Sequence, residues 1–204
     1  MSDIRIEHVR LSFANLLKPT KFSESDEPRF RTDLLIPKDD PQVKVIKRAM
    51  LEAANERWGE KGKQQLQVLL GKEKTFLRDG DEKVSGDGEA LDGYPGHYYL
   101  RASNAVKPLL LDRNEEELDP LKGSKDTPYS GCYVHVILNV WAQDSHNTRR
   151  VNAKLLGVMF HEDGESFGSG PQRADKSAFA GLAETPASDS DSDGSFDDDD
   201  LEGL

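Results

Sequence analysis

Cationic and aromatic side chains recur together at the spacing of strand faces. Tyr99 and Arg101 are two residues apart. Tyr133, His135 and Trp141 also share one face if their segment is extended. Six further candidates lie in or beside the flanking segments: Lys18, Lys21, Phe22, Lys107, Arg149 and Arg150. A groove for single-stranded nucleic acid combines cations for the phosphates with aromatic faces for the bases. The pattern predicts such a groove, against the alternative that the aromatic rings only cover the outside of the core.

The sequence lacks the motifs that carry catalysis. It contains no glycine-rich phosphate loop, no pair of zinc-binding histidines at helical spacing, no nucleophile elbow and no pair of cysteines. A metal-dependent nuclease would have to use four charged residues of one segment, Asp79, Glu82, Lys83 and Glu89. These fall in a turn-rich loop that gives them no rigid scaffold. We therefore expect a non-catalytic protein without a resident metal or cofactor.

Negative charge is concentrated at the C-terminal end. The chain has 27 Lys and Arg against 38 Asp and Glu, a net charge of −11, and residues 183–204 hold nine acids and no Lys or Arg. The remainder is nearly balanced, so it can still present a basic face. The aspartates from Asp189 to Asp200 are spaced like calcium ligands, but no helix-forming segments flank them. A solvated, disordered acidic tail is the preferred interpretation.

Three regions are expected along the chain. Residues 1–168 form the folded domain, residues 169–182 a flexible Gly-, Ser- and Ala-rich linker, and residues 183–204 the acidic tail. Cys132, the only cysteine, lies in an apolar run and is assigned to the core, so no disulfide is expected. No segment has the roughly 20 apolar residues of a membrane span, and the start lacks the pattern of a signal peptide. The protein is expected to stay in a cytosol, without membrane contact.

Alternating apolar and polar residues predict strands, and helical spacing predicts one clear helix. Strands are expected over residues 4–13, 29–36, 97–102, 107–111, 132–142 and 151–160. Asp40 and Pro41 begin a helix that extends to Trp58, and a weaker helix covers residues 63–70. Loops are expected over residues 15–28, 79–96 and 112–131, and the core is expected to include Phe13, Phe30 and Phe160. These elements suit a small antiparallel barrel with insertions.

Five short segments carry a resemblance to a known family. They are residues 9–16 (VRLSFANL), 34–38 (LLIPK), 99–102 (YLRA), 129–134 (YSGCYV) and 155–158 (LLGV), the last followed by Asp163, Gly164 and Glu165. In this order the chain resembles the single-stranded DNA-binding proteins of tailed bacteriophages over most of residues 9–168. The resemblance implies an OB-fold barrel that binds single-stranded DNA in phage replication or recombination, without enzymatic activity or cofactor. The acidic end with Phe196 is a second likeness, although the last residue is Leu204.

The sequence therefore predicts a mainly β protein with one or two helices, an elaborated OB-fold-like antiparallel barrel with long loops and a disordered acidic tail. Its expected function is to protect single-stranded DNA in the cytoplasm of the infected bacterial host. Five tail residues are expected to compete with DNA and to recruit phage or host replication and recombination proteins: Phe196, Asp197, Asp198, Asp199 and Asp200. Self-association is compatible with this interpretation. The alternative is an interaction protein whose tail mimics DNA and which has no groove of its own.

Overall fold

A computed structural model describes residues 2–21, 23–119, 123–145 and 148–167. By its internal contacts the chain divides into two units, Met1–Gly170 and Pro171–Leu204, and the second lies entirely outside the described residues. The predicted linker and acidic tail, including Phe196 and the aspartates Asp197 to Asp200, also lie outside them, as does Phe22. The predicted boundaries of the three regions therefore stay predictions.

Strands dominate the described residues. The strands are β1 (Ser2–Thr20), β2 (Arg29–Pro37), β3 (Leu77–Asp79), β4 (His97–Asn104), β5 (Leu109–Leu111), β6 (Tyr133–Ser145) and β7 (Thr148–Glu162). The helices are α1 (Gln42–Trp58) and α2 (Gly62–Gly71), joined by the 3₁₀ turn Gly59–Lys61. Within the part of the chain that the structure describes, no helix is long and apolar enough to cross a bilayer.

Five of these strands close into a barrel in the order β4-β2-β1-β6-β7. Neighbouring strands in this order are antiparallel. A parallel pairing between β7 and β4, with Ala102 opposite Ala153, completes the ring. A small five-stranded barrel with these features is consistent with an OB-fold. The prediction of an elaborated OB-fold-like barrel is confirmed, with one parallel pair closing an otherwise antiparallel ring.

The barrel core follows the alternation that the sequence predicts. On β6, Val134, Val136, Leu138 and Val140 are buried, while the side chains between them face outward. Cys132, directly before this strand, is fully buried, as expected of a core residue. The core also contains Phe30 and Phe160, as predicted.

Both predicted helices are present between β2 and β3. Asp40 Oδ1 accepts a hydrogen bond from the Gln42 backbone N–H at 2.7 Å, which satisfies one of the free donors at the start of α1. Residues at helical spacing on α1 are buried against the barrel, among them Val43, Ile46 and Met50. Helix α2 extends the predicted range of residues 63–70 by one residue at each end, from Gly62 to Gly71.

Strand β1 is longer than predicted and contains three irregularities. Its register shifts between Ile6 and Val9 against β6, and against β2 it shifts between Ser12 and Asn15 and again between Asn15 and Thr20. His8 and Phe13 lie in the first two of these interruptions and have positive φ angles of 51° and 49°. The second bulge turns the Phe13 ring outward, so this side chain is 49% exposed and its assignment to the core is wrong.

Two short segments also differ from the predicted elements. Residues 15–20 continue β1 instead of belonging to the loop that was expected from residue 15. Strand β3 was not predicted, because three residues are too few for alternation to be recognised. It pairs antiparallel with β4, with Leu77 opposite Leu100, and so widens the sheet beside the barrel.

Candidate nucleic-acid interface

A concave surface extends over the outer side of β2 and β4, and we refer to it as the groove. It consists of two adjoining hollows that share Arg29, Arg78, Arg101, Ser103 and Arg150. The first hollow continues over β6 and β7, and the second continues over β1 and the loop that leads to β2. In OB-folds the corresponding face, formed by the second and third barrel strands and the loops beside it, binds oligonucleotides.

Cations greatly outnumber carboxylates in the groove. Its lining includes nine Lys and Arg side chains: Lys21, Arg29, Arg31, Lys74, Arg78, Lys83, Arg101, Arg150 and Lys154. Two carboxylates, those of Asp26 and Asp33, also line it. A concave surface with one dominant sign of charge concentrates counter-ions of the other sign. The groove therefore attracts polyanions although the whole chain carries a net charge of −11.

Strand geometry places the arginines of β2 on the outer face. Arg29, Arg31 and Asp33 alternate with inward-facing Phe30 and Thr32, which are buried. Across the β2–β4 pair, Arg31 lies opposite Ser103 and Asp33 opposite Arg101. The Arg29 guanidinium donates from Nε to Ser103 Oγ at 3.3 Å. The period-2 pattern of residues 29–36 could have identified both arginines as outward-facing.

Arg101 is held from two sides. Its Nε donates to Asp33 Oδ1 at 3.4 Å, and its guanidinium carbon lies 5.8 Å from the centre of the Tyr99 ring. The Tyr94 hydroxyl lies 3.1 Å from Asp33 Oδ2 and donates to it, because a carboxylate can only accept. Burial, with the Asp33 charge second, raises the pKa of Tyr94, so this hydroxyl stays protonated. The network fixes Arg101 in the wall of the groove.

Tyr99 shares the outer face with Arg101, as predicted, but its ring is only 4% exposed. It packs with Tyr94 and Leu35 in a small cluster, and the Tyr94 and Tyr99 ring centres are 5.4 Å apart. In this arrangement Tyr99 supports Arg101 and does not present an open ring face to the groove.

Two aromatic rings line the groove on opposite sides of its shared cations. Trp141, on β6 opposite Asn152, lines the first hollow and is half-buried. Phe13, turned outward by the second bulge of β1, lines the second hollow. Trp141 is among the candidates predicted from the sequence, whereas Phe13 is not, because simple alternation places Phe13 on the inner face beside Leu11.

The candidates in the flanking loops separate into two groups. Lys21, after β1, and Arg150, near the start of β7, line the groove. Arg149 lines a neighbouring hollow, where its Nε lies 3.1 Å from Asp144 Oδ1 and its Nη1 lies 3.3 Å from Gln65 Oε1. The Arg149 guanidinium, followed by the Trp58 indole, lowers the pKa of Asp144.

Lys18 and Lys107 are exposed and do not line either hollow of the groove. Both stay predictions as DNA contacts. Most of the cations that do line the groove are not among the candidates predicted from the sequence, for example Lys74, Arg78 and Lys154. Lys154 lies on a predicted strand, where alternation was a usable signal, whereas Lys74 and Arg78 come from a region in which no element was predicted.

Tyr133 and His135 lie on the outer face of β6, as expected, but far from Trp141. Eight residues of strand separate Tyr133 from Trp141, which corresponds to roughly 26 Å. Tyr133 stacks on His8 with ring centres 4.7 Å apart, and His135 lies 4.5 Å from the His161 ring centre. Burial, with His161 second, lowers the pKa of His135. The structure thus separates these two candidates from the groove and places them in a histidine cluster.

The carboxylates considered for a nuclease are not gathered into one site. Asp79 Oδ1 and Asp81 Oδ2 each lie 2.6 Å from Lys38 Nζ, which pairs with both. Glu82 and Glu89 are exposed residues of the following loop. Lys83, the fourth member of that set, lines the groove instead.

Comparison with known proteins agrees with this geometry. The family described as Enterobacter phage Enc34, ssDNA-binding protein, matches residues 2–192. Protein p50 of Acyrthosiphon pisum secondary endosymbiont phage 1 is 36% identical over 170 residues, which are 82% of this chain and 87% of that protein.

Solved structures show the same similarity. The single-stranded DNA-binding protein from bacteriophage Enc34 in complex with ssDNA aligns with a TM-score of 0.67 and 26% identity, over 81% of this chain and 89% of that chain. The single-stranded DNA-binding protein gp2.5 of bacteriophage T7 has the same fold, with a TM-score of 0.52 and 13% identity over 93% of this chain and 99% of that chain. Because the family match covers nearly the whole chain and the structural match covers the barrel, the chain belongs to the Enc34 phage ssDNA-binding protein family.

Proposed function

We propose that this protein binds single-stranded DNA in the groove across β2 and β4. The observation that carries the proposal is the set of nine lining cations with an accessible aromatic ring on each side, Trp141 and Phe13. Cations neutralise phosphates and release their counter-ions, and a base stacked on an aromatic ring contributes about 1–3 kcal/mol. Neither interaction depends strongly on the base, so we expect binding that tolerates most sequences.

Family membership supports this proposal. The related Enc34 protein has been solved with ssDNA, and its fold matches this barrel over 81% of the chain. Proteins of this family bind DNA and are not enzymes, and the chain is accordingly a non-catalytic protein. We infer that it protects single strands during phage replication or recombination, in the cytoplasm of the infected bacterial host.

The acidic tail provides the regulatory part of the proposal. Residues 183–204 contain nine carboxylates and no cation, so they offer the groove a covalently attached competitor of DNA.

The last described residue is Phe167. Its ring packs against the Arg10 guanidinium and lies against Gly93, the residue before Tyr94. The Tyr94 ring is 6.4 Å from that of Phe13, which lines the groove. The described part of the chain thus ends at a ring that packs against the same tyrosine as Phe13. When DNA displaces the tail, its carboxylates become available to replication and recombination partners.

The proposal is tested by fluorescence anisotropy with a labelled single-stranded oligonucleotide at several salt concentrations. The full chain is compared with a shortened chain that ends at Leu182. We expect both to bind, and the shortened chain to bind more tightly, with the largest difference at low salt because the competition is electrostatic.

Two results would count against it. If neither chain binds the oligonucleotide, the groove has no role with DNA, and the alternative of a DNA-mimicking tail becomes the better explanation. If both chains bind with equal affinity at every salt concentration, the groove keeps its function but competition by the tail is excluded.

A further inference from the structure

Three histidines and a tyrosine form a compact cluster on the outer face of β1, β6 and β7. The His8 ring stacks on Tyr133 with an interplanar angle of 8°, and its centre is 5.3 Å from that of His161. His161 is in turn 4.5 Å from His135. None of these residues lines the groove, so the cluster is a separate surface feature.

The first bulge of β1 creates this cluster. His8 lies in the register shift between Ile6 and Val9, with a φ of 51°, a backbone conformation that is costly for a residue with a Cβ. The bulge turns the His8 side chain outward, toward the side chains of β6 and β7. The His8 backbone N–H donates to His135 Nδ1 at 3.2 Å, which fixes the conformation. His135 thereby acts as a positioning residue, since its Nδ1 lone pair is already used.

The remaining donor atoms converge. One nitrogen of His8, one nitrogen of His161 and one oxygen of Glu162 all lie within 4.8 Å of one another. His8 Nε2 and Glu162 Oε2 are 3.5 Å apart. In a tetrahedral zinc site with bonds of about 2.0–2.1 Å, neighbouring donors are about 3.4 Å apart. All three side chains are exposed, so small rotations bring them to this spacing.

We propose that His8, His161 and Glu162 form a binding site for one divalent transition-metal ion, with zinc as the representative ion. Two imidazoles and one carboxylate suit borderline metals better than Ca²⁺ or Mg²⁺, which take oxygen ligands. The fourth position stays open to water. Because β6 separates β1 from β7 in the barrel, the ion links two strands that are not neighbours. Metal binding therefore stabilises the folded barrel, independently of DNA.

The test uses the full chain, freed of metal with a chelator, and measures Zn²⁺ binding by calorimetry and the melting temperature with and without Zn²⁺. The ligand variants are His8→Asn and His161→Gln. Asn tolerates a positive φ, so His8→Asn removes the imidazole without adding backbone strain. The control is His97→Gln on β4, whose ring nitrogen contacts Pro95 O and which does not belong to the cluster.

We expect the unmodified chain and His97→Gln to bind one Zn²⁺ tightly and to melt at a higher temperature when it is bound. His8→Asn and His161→Gln should each lower the affinity by more than about tenfold and abolish the temperature shift. Co²⁺ should give visible absorption bands in the unmodified chain that both variants lose. Equal Zn²⁺ affinity in all four proteins, or no tight binding by the unmodified chain, would overturn the proposal. DNA binding by these variants should be unchanged, so this test and that of the groove can fail separately.

Discussion

Arg101 and Asp33 face each other across the β2–β4 pair, with Arg101 Nε 3.4 Å from Asp33 Oδ1. Asp33 is buried and is also bonded to the Tyr94 hydroxyl, so it holds the guanidinium by one edge. Among the described residues, no acceptor is hydrogen-bonded to the two Nη atoms of Arg101. An arginine fixed in this way can bind a phosphate with little further loss of side-chain freedom.

Arg150 and Arg149 are adjacent in sequence but differ in surroundings, which gives a matched pair of variants. Arg150→Ala should lower the slope of log affinity against log salt by about 0.7, the value for one phosphate of a single strand. Arg149→Ala should change the slope less, because Asp144 already neutralises this guanidinium at 3.1 Å. Oligonucleotide titrations at four or more salt concentrations measure both slopes. Equal changes in slope for the two variants would show that Arg150 makes no phosphate contact that Arg149 lacks.

Substitutions of the two tryptophans should affect different properties: DNA affinity for Trp141 and stability of the fold for Trp58. Trp141→Ala should weaken binding of a single strand by about 1–3 kcal/mol, the contribution of one stacked base, with little change in melting temperature. Trp58 packs against the core and donates from Nε1 to Asp144 Oδ2 at 3.0 Å. Trp58→Ala should therefore destabilise the fold, toward the lower end of about 3–5 kcal/mol, and leave the affinity of the folded fraction unchanged. A large loss of stability in Trp141→Ala with normal DNA affinity would identify that ring as structural.

Phe13 provides an independent test of the second hollow. Phe13→Ala should reduce DNA affinity by an amount comparable to Trp141→Ala, because the ring is 49% exposed beside Lys21 and Arg31 in the groove. Phe160→Ala, at a fully buried position, should instead cost about 3–5 kcal/mol of stability. Denaturant unfolding and anisotropy on the same samples measure both quantities. Unchanged affinity in Phe13→Ala would limit the DNA path to the first hollow.

Asp126 should contribute to the sensitivity of the fold to acid. The Arg113 guanidinium, bonded through Nε and Nη2 at 2.9 Å each, holds the pKa of this carboxyl below its usual value of 3.8. A carboxyl with a lowered pKa in the folded state stabilises the fold above the unfolded pKa, and the contribution disappears as pH falls through the folded value. Melting temperatures from pH 6 down to about pH 2.5 should therefore fall less steeply for Asp126→Asn than for the unmodified chain. If melting temperature fell equally steeply with pH in both proteins, the Asp126–Arg113 pair would make no net contribution to the acid sensitivity of the fold.

The barrel could be predicted from the sequence because its strands alternate cleanly. Val134, Val136 and Leu138 mark one face of β6 without ambiguity, and the helix signal at Asp40 and Pro41 marks the start of α1. The bulges of β1 could not be predicted in this way. At His8 and Phe13 the backbone leaves the extended conformation without a glycine or proline to indicate it.

Prediction of the site was limited by tertiary structure. Trp141 and Arg101 were identified because strand alternation alone places them on an outer face. Tyr133 has the same local pattern as Trp141, yet the strand carries it about 26 Å away. Lys74 and Arg78 reach the groove only because the segment after α2 packs between β4 and β7, where the Phe76 backbone accepts from Arg101 N–H and donates to Val151 O. That arrangement has no signature in the local sequence.

The pairing of β1 with β6, in which Ser2 lies opposite Val140, has a consequence for biosynthesis. A nascent chain extends at about 5–20 residues per second, so the N-terminal strand waits roughly 6 to 25 s before β6 has been synthesised. During this time one side of β1 is an open edge, on which other chains can add strands. The bulge at His8 interrupts that edge and twists it away from regular pairing. We therefore expect the bulge at His8 to limit aggregation of the nascent chain, in addition to shaping the surface of the folded protein.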